Sequence, residues 1–373
     1  MRNIVDYAES EMNRLEAKPF NPVDSLILSQ LSYLHFKTMV PGPWDRAEPV
    51  KIRDLLQAEQ FDTMFYGLYD PENSKKLLFA MAASPRYRDL RVCCHTDTVD
   101  AGLEKQFSAL SVYLDRETVY IAFRGTDSTF TGWKEDFNMA FLSPVPSQED
   151  AVRYLETVAS RRPGKLIVGG HSKGGNLAVY SAMKCSRSVQ DRIVKVYSHD
   201  GPGFRDDVFQ TEEFRRVSGS IHKTIPQSSL VGMLLENQEN YYVVESKSFG
   251  LLQHDPFSWV VAGDDFHILR QLSVGTQYRN RTLNDWIAAL SNEQREVFAD
   301  TLYAVLSSGD ASSFAELGAE WQKSIPAMLT AVKNIDPETR AVLLDILKEL
   351  AVIAVKNIPH PRPLTPGIPD GIK

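Results

Sequence analysis

Cysteine is scarce in this sequence, and the cysteines present are poorly placed for a disulfide framework. Cys93 and Cys94 are adjacent, and Cys185 is the third among 373 residues. Because an odd number with one adjacent pair does not build a disulfide scaffold, the sequence predicts a reducing, cytoplasmic setting. These cysteines and the eight scattered histidines also lack the spacing of a metal site, so we expect no metal and no other cofactor.

Long apolar runs and an excess of positive charge are missing as well. No uncharged apolar stretch reaches the length of a transmembrane span. The first residues, MRNIVDYAESEMNRLEAK, carry acids where an export signal needs an apolar core. Lys and Arg total 41 against 48 Asp and Glu, which gives a net charge of −7. Because a nucleic-acid partner needs a basic face, we expect none, and the composition is typical of a soluble globular protein.

Short runs rich in Val, Ile, Tyr and Phe alternate with helical patterns in the middle of the chain. The predicted strands are DLRVCCHT, FSALSVYLD, TVYIAFRG, KLIVGG, RIVKVYSHD, SIHKTIP and YYVVESK. The predicted helices include EDAVRYLETVASR, SKGGNLAVYSAMKCS and, earlier, PVDSLILSQLSYLHF with Asp24 as its N-cap. Strands that alternate with helices indicate an α/β fold with a mostly parallel central sheet flanked by helices on both faces.

The chain is too long for one ordinary core, and its patterns predict three parts. Residues 1–274 hold the strand signals and the N-terminal helices, and we expect one α/β domain there. Residues 275–358 carry only helical signals, such as Pro337 directly after Asp336, and predict an appended helical bundle. Residues 359–373 are rich in proline and predict an extended tail.

A serine lies where a strand must turn sharply into a helix, within LIVGGHSKGGNLAVYSA. The run Gly170-His171-Ser172-Lys173-Gly174 has the G-x-S-x-G spacing of a nucleophile elbow. Its glycines permit a tight turn, and Ser172 is expected at the C-terminal edge of the sheet beside a helix N-terminus. The alternative is a glycine-rich turn with an incidental serine. The strand before it and the helix after it favour Ser172 as a nucleophile.

A serine nucleophile needs a base within reach and an acid that orients the base. In this fold the partners follow in the order serine, acid, histidine. His254 follows the strand YYVVESK at the expected edge and is the predicted base, with His267 as the fallback. Asp200 ends the strand RIVKVYSHD at the same edge and is the predicted acid, although it could also be a turn cap. The remaining candidates for the acid are Asp255, Asp264 and Asp265.

An oxyanion hole needs two backbone N–H groups that face the developing negative charge. One is expected from Lys173, the residue after the nucleophile, and the other from a loop after an earlier strand. VYIAFRGTDST offers Thr126 just beyond its strand, with Gly125 giving the backbone room. The alternative is that this stretch is only a tight loop entry.

The stretches FRGTDSTFTGWKEDF and GGHSKGG resemble the fungal-type, or class 3, lipases of the α/β-hydrolase fold. The sequence is more similar still to a bacterial lipase-like family of uncharacterised function, called Mbeg1-like. Its marks here are DSLILSQLSYLHF, GGHSKGGNLAVY, DGPGF, IPQSSLVGML and QHDPFSW, across about residues 20–270. The resemblance implies Ser172 as nucleophile, His254 as base, and Thr126 with Lys173 as the oxyanion hole.

The sequence departs from the fungal-type pattern at the acid. In those lipases an Asp follows the strand that here is SIHKTIP, where this chain has Gln227, Ser228 and Ser229. Asp200 instead occupies the position that pancreatic-type lipases use. The resemblance therefore leaves Asp200 as the acid that this chain offers.

These residues predict a serine hydrolase of carboxylic esters, a lipase-like or esterase-like enzyme with an acyl-serine intermediate. The expected partner is an acyl-ester small molecule or a lipid, and FTGWKEDFNMAFLSPVP and SSLVGMLLENQEN are apolar enough to form a lid or an acyl pocket. One alternative is a catalytically inactive hydrolase fold that serves as a binding or scaffold protein. Another is a thioesterase or acyltransferase that uses the same triad.

Overall fold

The computed structural model describes residues 1–100, 105–126, 139, 144–229, 231–235, 240–272 and 284, and the single residues 337, 340, 341 and 344. Most of the predicted bundle at 275–358, the whole tail at 359–373 and most of FTGWKEDFNMAFLSPVP lie outside the described residues. The predicted division of the chain into these parts therefore stays a prediction.

The described strands and helices are the following. The strands are β1 Val50–Lys51, β2 Arg91–Asp100, β3 Lys105–Tyr113, β4 Thr118–Phe123, β5 Lys165–His171, β6 Ile193–His199, β7 Ile221–Pro226, β8 Tyr241–Val244, β9 Val261–Ala262, β10 Asp265–Phe266 and β11 Ile268–Leu269. The α-helices are α1 Ile4–Ser10, α2 Pro22–Leu31, α3 Phe61–Met64, α4 Pro71–Ala83, α5 Pro146–Arg161, α6 Lys173–Lys184, α7 Arg187–Gln190, α8 Asp206–Phe209 and α9 Glu212–Ser218. Short 3₁₀ turns lie at Ile52–Leu55, Ala58–Gln60, Val231–Met233, Gly250–His254 and Pro256–Ser258.

One twisted sheet carries nine of these strands in the order β1-β2-β3-β4-β5-β6-β7-β8-β11. The strands from β4 to β8 pair in parallel, whereas β1 to β4 and the β8–β11 pair are antiparallel. Only four residues join β2 to β3 and β3 to β4, and such a short connection returns the chain antiparallel. The seven predicted strands are β2 to β8, and the predicted α/β class is confirmed, with four parallel pairs among β4 to β8 and four antiparallel pairs toward the two edges of the sheet.

The sheet is covered on both faces because the side chains of its strands alternate in direction. In β4, Tyr120 and Ala122 join one apolar cluster with residues of α1, α2 and α4. On the other face Val119, Ile121 and Phe123 pack with residues of α5, α6 and α9. With the serine turn at the end of β5, this is the α/β-hydrolase fold.

Helix α2 begins at a different cap from the one predicted. Asn21 is the N-cap, Pro22 is the first helical residue, and the Asp24 carboxylate accepts from Asn21 N at 3.0 Å to complete a capping box. The prediction that Asp24 is the N-cap was wrong, because Asn21 precedes the favourable Pro at the first position. Asp24 is fully buried instead, where Arg86 Nε donates to it at 2.7 Å and the Tyr87 hydroxyl at 2.6 Å.

Candidate active site

The turn between β5 and α6, at residues 170–174, has the geometry of a nucleophile elbow. Ser172 sits between the strand and the helix with φ 58° and ψ −133°, and its N–H donates to His199 O at 2.9 Å. A Cβ added to Gly170 would lie 2.2 Å from the carbonyl carbon of Gly174, and one added to Gly174 would lie 2.1 Å from Phe123 O. Both positions therefore need glycine, and the strained serine costs about 1–3 kcal/mol that the surrounding structure must offset.

The predicted acid follows the neighbouring strand, one residue beyond the point where β5 and β6 pair. His171 pairs with His199, so the next residues, Ser172 and Asp200, leave adjacent strand ends. Asp200 also has a positive φ, 51°, which Asp tolerates better than most residues, and its N–H donates to Thr224 O at 2.7 Å. The Asp200 side chain is 1% exposed, and its Oδ2 lies 2.6 Å from His254 Nδ1.

The second oxygen of Asp200 is held by residues that follow β7. Its Oδ1 accepts from the Ser229 hydroxyl at 2.5 Å and from Gly232 N at 3.1 Å. A buried carboxylate is costly without such bonds, and bonds to an ionised acceptor are among the strong ones. Ser229 thus lies in the run after β7 where this sequence has no acid, and its hydroxyl supports Asp200, the predicted acid, at the end of the neighbouring strand β6. Sequence reasoning noted the missing acid there and missed this supporting role, for which the polar run QSS after the strand is the available signal.

His254 is carried by the 3₁₀ turn Gly250–His254, which is fixed through its neighbour Gln253. The Gln253 side chain accepts from Ser228 N at 2.7 Å and donates to Ser248 O at 2.9 Å. The indole N–H of the fully buried Trp259 donates to Gln253 O at 2.8 Å. This buried anchoring explains how a residue on an irregular segment can keep a defined position at the sheet edge.

His171 packs against the predicted base, and sequence reasoning did not assign it a role. Its Nε2 lies 2.9 Å from His254 O, which can only accept, so Nε2 carries the proton and Nδ1 accepts from the Tyr33 hydroxyl at 3.1 Å. The two imidazole rings are 4.6 Å apart. Burial, followed by the neighbouring His254, lowers the pKa of His171 well below its usual range. The ring is therefore neutral and adds no positive charge beside His254.

The serine and the histidine lie at one edge without a direct bond in this structure. Among the described residues, no hydrogen bond joins Ser172 Oγ to the His254 ring, while the acid–histidine bond is in place. Bonds between nucleophile and base are often long in an unliganded enzyme and tighten with substrate. The rings of His171 and His254 are in contact, so His254 lies directly beside the residue that precedes Ser172.

Of the two predicted oxyanion residues, Lys173 lies within the elbow and Thr126 follows β4, the strand next to β5. Lys173 is the first residue of α6, and its buried side chain turns away to donate to Gln106 O at 2.8 Å. Thr126 is buried just beyond β4. The strand end before Thr126 is fixed by Arg124, whose guanidinium donates to both Asp97 oxygens, at 3.0 and 2.8 Å. Whether their N–H groups receive an oxyanion stays a prediction.

The ion pair between the buried Arg124 and the partly exposed Asp97 restrains this strand end. Burial opposes the charge on Asp97, but the hydrogen bond from His35 and the charge of Arg124 outweigh it and lower the pKa of Asp97 to about 2. Asp97 is therefore ionised at neutral pH and keeps Arg124 in one orientation. The backbone that leads into Thr126 is fixed by the same pair.

The alternative candidates are engaged elsewhere in the structure. The His267 ring is half-exposed and bonds to Glu245 Oε2 at 2.5 Å. Asp255 caps a 3₁₀ turn by accepting from Phe257 N at 3.0 Å, and Asp264 pairs with Lys18. Asp265 lies in the two-stranded β9–β10 sheet and accepts from the N–H of the next residue. In the described part of the chain, His267, Asp264 and Asp265 make no side-chain hydrogen bond to the His254 ring.

The turn that supports Asp200 is connected to a residue beyond the predicted domain boundary. Asn284 donates from Nδ2 to Met233 O at 2.8 Å, and its Oδ1 accepts from Leu235 N at 3.2 Å. Met233 lies directly after Gly232, which donates to Asp200. At least one residue after 274 therefore contacts the predicted hydrolase domain.

None of the helices in the described part of the chain combines the length and the apolar character that a transmembrane span needs.

Comparison with solved structures finds distant lipases. The chain is 19% identical to the Rhizomucor miehei lipase in its native propeptide complex, across 46% of this chain and 66% of that one, with a TM-score of 0.33. It is 18% identical to a lipase from Rhizopus microsporus var. chinensis, across 59% and 76% of the two chains, with a TM-score of 0.33. A triacylglycerol lipase described as having a serine protease triad at its catalytic centre is 19% identical, across 59% and 75%, with a TM-score of 0.34. The chain spans just under two thirds of the length of the Rhizomucor miehei lipase.

Comparison with protein families gives a more extensive match. No curated protein matches the chain. A family model described as Mbeg1-like matches residues 81–304, a span that holds the elbow, Asp200 and His254. Because this span is more than half of the 373 residues, the chain belongs to the Mbeg1-like family.

Proposed function

We propose that the protein is a serine hydrolase of carboxylic esters, with Ser172 as nucleophile, His254 as base and Asp200 as the orienting acid. The observation that carries this proposal is the 2.6 Å bond between His254 Nδ1 and the buried Asp200, beside a strained serine turn. An ionised carboxylate on Nδ1 fixes the proton on that nitrogen. Nε2 is then the nitrogen that can take a proton from Ser172.

The reaction follows from these roles. Ser172 Oγ attacks the acyl carbon while His254 Nε2 takes its proton, and the backbone N–H groups of Thr126 and Lys173 receive the negative charge on the carbonyl oxygen. The carbon–oxygen bond to the alcohol then breaks, and His254 returns the proton to the leaving alcohol. Water attacks the acyl-serine with His254 again as base, which releases the carboxylic acid and restores the serine.

The neutral His171 supports the charge changes in this cycle. When His254 takes a proton it becomes a cation that Asp200 stabilises, and a second cation 4.6 Å away would oppose that step. Burial keeps the pKa of His171 well below its usual range, so no such cation forms near neutral pH. Its bond to His254 O also restrains the turn that carries the base.

The same constellation suits related acyl chemistry. A thioester presents the same acyl carbon, and an acceptor other than water would make the protein an acyltransferase. These alternatives share Ser172, Asp200 and His254 and differ only in the leaving group or the acceptor. An inactive scaffold is the alternative of a different kind, and only the missing acid at Ser228 and Ser229 favours it.

The first experiment combines an active-site label with turnover. A fluorophosphonate probe should label the wild type, and p-nitrophenyl esters of increasing acyl length should be hydrolysed with a preference that reports the acyl pocket. Ser172→Ala should lose both signals, with kcat reduced by roughly 10⁴-fold or more. Ser188→Ala, a change at an exposed serine of α7, is the matched control and should behave as wild type.

The outcomes separate the candidate functions. Labelling that persists in Ser172→Ala would show that another residue is the nucleophile. A folded wild type with neither labelling nor ester turnover would support the scaffold alternative. Labelling at Ser172 with turnover of acyl thioesters and none of oxygen esters would assign the protein to the thioester class.

A further inference from the structure

Cys93 and Cys94 are neighbours whose side chains lie on the same face of the sheet. In a regular strand adjacent side chains point to opposite faces. Val92 packs in the cluster with α1, α2 and α4, and Cys93 packs in the opposite cluster, as alternation requires. Cys94 should return to the side of Val92, yet it also lies in the cluster of Cys93.

A bulge in β2, residues Cys93–Thr96, causes this arrangement. Cys93 pairs with Ser111 and Thr96 with Ala109, so β2 uses one residue more than β3 between these pairs. Cys94 has φ 58°, an uncommon conformation for a residue with a side chain. The Tyr154 hydroxyl donates to Cys94 O at 2.7 Å and holds the carbonyl in this orientation. The bulge therefore brings together two thiols that a regular strand would separate.

The two sulfur atoms are in contact and lie beside a cavity. Cys94 Sγ is 3.3 Å from Cys93 Sγ. Both residues line a cavity of about 800 Å³, together with Tyr113, Arg161 and Arg162, and none of the triad residues lines it. The cavity lies at the edge of the sheet where β4 begins, whereas Ser172 lies beyond the other edge. Cys93 and Cys94 are 4% and 7% exposed, and the cavity that they line is separate from the predicted active site.

The surroundings of the pair favour one thiolate. The hydrogen bond from Cys94 lowers the pKa of Cys93 against the effect of burial, and smaller contributions in the same direction come from Tyr113 and from the positive charges of Arg162 and Arg161. The third cysteine is a natural contrast, because burial raises the pKa of Cys185 to about 12 and its thiol faces Ala182 O. Because the thiolate is the reactive form of cysteine, Cys93 is expected to be the first of the pair to react with an oxidant.

We propose that Cys93 and Cys94 form a site of reversible oxidation, in which a small hydroperoxide entering the cavity converts the adjacent thiols to a disulfide. Cys93 thiolate attacks the peroxide oxygen, so the O–O bond breaks, sulfenic acid forms and hydroxide or alkoxide leaves. The Cys94 thiol then attacks the sulfenic sulfur and its proton goes to the departing hydroxide, which forms the S–S bond and releases water. With hydrogen peroxide, two thiols and one peroxide give one disulfide and two waters, and the cysteines supply both electrons.

The product should be easily reduced. Neighbouring Cα atoms are about 3.8 Å apart, below the range of about 4.4–6.8 Å that is usual for disulfides. A bond made under such constraint is more reducible than an unconstrained one. This proposal does not depend on the proposed hydrolase activity, because the site shares no residue with the triad.

The test uses the full-length protein and hydrogen peroxide. After brief exposure, alkylation of remaining thiols and trypsin digestion, one peptide, VCCHTDTVDAGLEK, carries both residues of the pair. We expect this peptide to lose two hydrogens and to escape alkylation, and dithiothreitol to reverse both changes. Cys185→Ser should oxidise in the same way, and Cys185 in the wild type should react at least about tenfold more slowly.

Two further measurements keep the proposal open to refutation. Cys94→Ser should accumulate a sulfenic acid at Cys93 that dimedone traps. The urea-unfolded wild type should form the adjacent disulfide at least about tenfold more slowly than the native protein, because the bulge holds the two thiols in contact whereas the unfolded chain only samples that arrangement. The proposal is overturned if both thiols remain alkylatable in the native protein, if they oxidise irreversibly to sulfinic acid, or if the unfolded chain reacts as fast. These readouts need no activity and hold even if Cys94→Ser fails to fold.

Discussion

The elbow at residues 170–174 and the cysteine bulge at residues 93–96 each hold a residue with a side chain in the left-handed region, and they stabilise it differently. Ser172 and Cys94 have the same φ, 58°. At the elbow, glycines allow backbone segments to approach, and the Ser172 N–H bonds to the neighbouring strand. In the bulge no glycine intervenes, and a side chain from α5, Tyr154, holds the carbonyl.

The two backbone distortions, at Ser172 and at Cys94, position different chemical groups. The elbow places Ser172 at the sheet edge where Asp200 and His254 are paired, whereas the bulge turns a second thiol toward the first. Strain at such positions persists only where the surrounding structure over-determines it, and it gathers at functional sites. The comparison therefore supports two separate chemistries on one sheet, and each prediction below tests one side of it.

The largest expected effect concerns the acid of the proposed triad. Asp200→Asn should lower kcat/KM for ester hydrolysis by about 10⁴-fold, because an amide beside Nδ1 no longer fixes the productive tautomer of His254. The measurement is p-nitrophenyl ester turnover together with circular dichroism to confirm folding. Asp264→Asn, which alters the partner of Lys18, is the matched control and should keep wild-type turnover. The opposite pattern would move the acid to Asp264.

A side chain added at Gly174 in the elbow should lower the stability of the protein. Gly174→Ala would place a Cβ 2.1 Å from Phe123 O, and we expect the free energy of unfolding to fall by about 2–4 kcal/mol in urea titrations. Gly219→Ala is the matched control, because its Cβ meets nothing within 4 Å, and its change should stay within about 0.5 kcal/mol. Equal stability of the two variants would show that the elbow is not closely packed.

The sequence predicts the elbow because the close approach of backbone segments there requires glycine at positions 170 and 174. The bulge has no such local signal in the sequence. The pattern around Ser172, the strands β2 to β8 and the positions of Asp200 and His254 at one edge follow from local residue types. The positive φ of Cys94 depends on an extra residue relative to β3, which is a property of pairing between strands. The roles of Ser229, Gln253 and His171 depend on contacts between segments distant along the chain.

A smaller loss of activity should follow when the support of Asp200 Oδ1 is removed, since this oxygen bonds to Ser229 and not to His254. Ser229→Ala removes the hydroxyl that donates to Oδ1, and hydrogen bonds to charged groups contribute about 1.5–3 kcal/mol. We expect kcat to fall by about 10- to 100-fold with KM nearly unchanged, because the loss affects orientation of the base. Ser229→Thr keeps the hydroxyl and should recover most of the activity. Ser228→Ala keeps the backbone N–H that bonds to Gln253 and should match the wild type.

The smallest expected effect is a change in the free energy of unfolding that depends on His95 in the bulge and appears only as the pH falls. Burial, together with the nearby Arg124 and His35, lowers the pKa of His95 to about 4, although Asp97 opposes the shift. The unfolded chain takes up this proton below about pH 6.5, so the contribution of neutral His95 is complete above that pH and is lost as pH falls toward 4. His95→Phe cannot take up the proton. Its unfolding free energy relative to wild type should therefore rise by about 2 kcal/mol between pH 7 and pH 5 in urea titrations.

The pH dependence of this difference isolates the proton on His95. Any packing effect of the new ring against Phe36 shifts the His95→Phe curve equally at every pH, so only the change in the difference reports the proton. The other buried histidines, His171 and His199, remain in both proteins and cancel in the comparison. Parallel curves for the two proteins would contradict a neutral, buried His95 in the bulge. Ester turnover of His95→Phe at pH 7 should equal that of wild type, because the bulge shares no residue with the elbow, and a loss of activity there would show that the two regions are coupled.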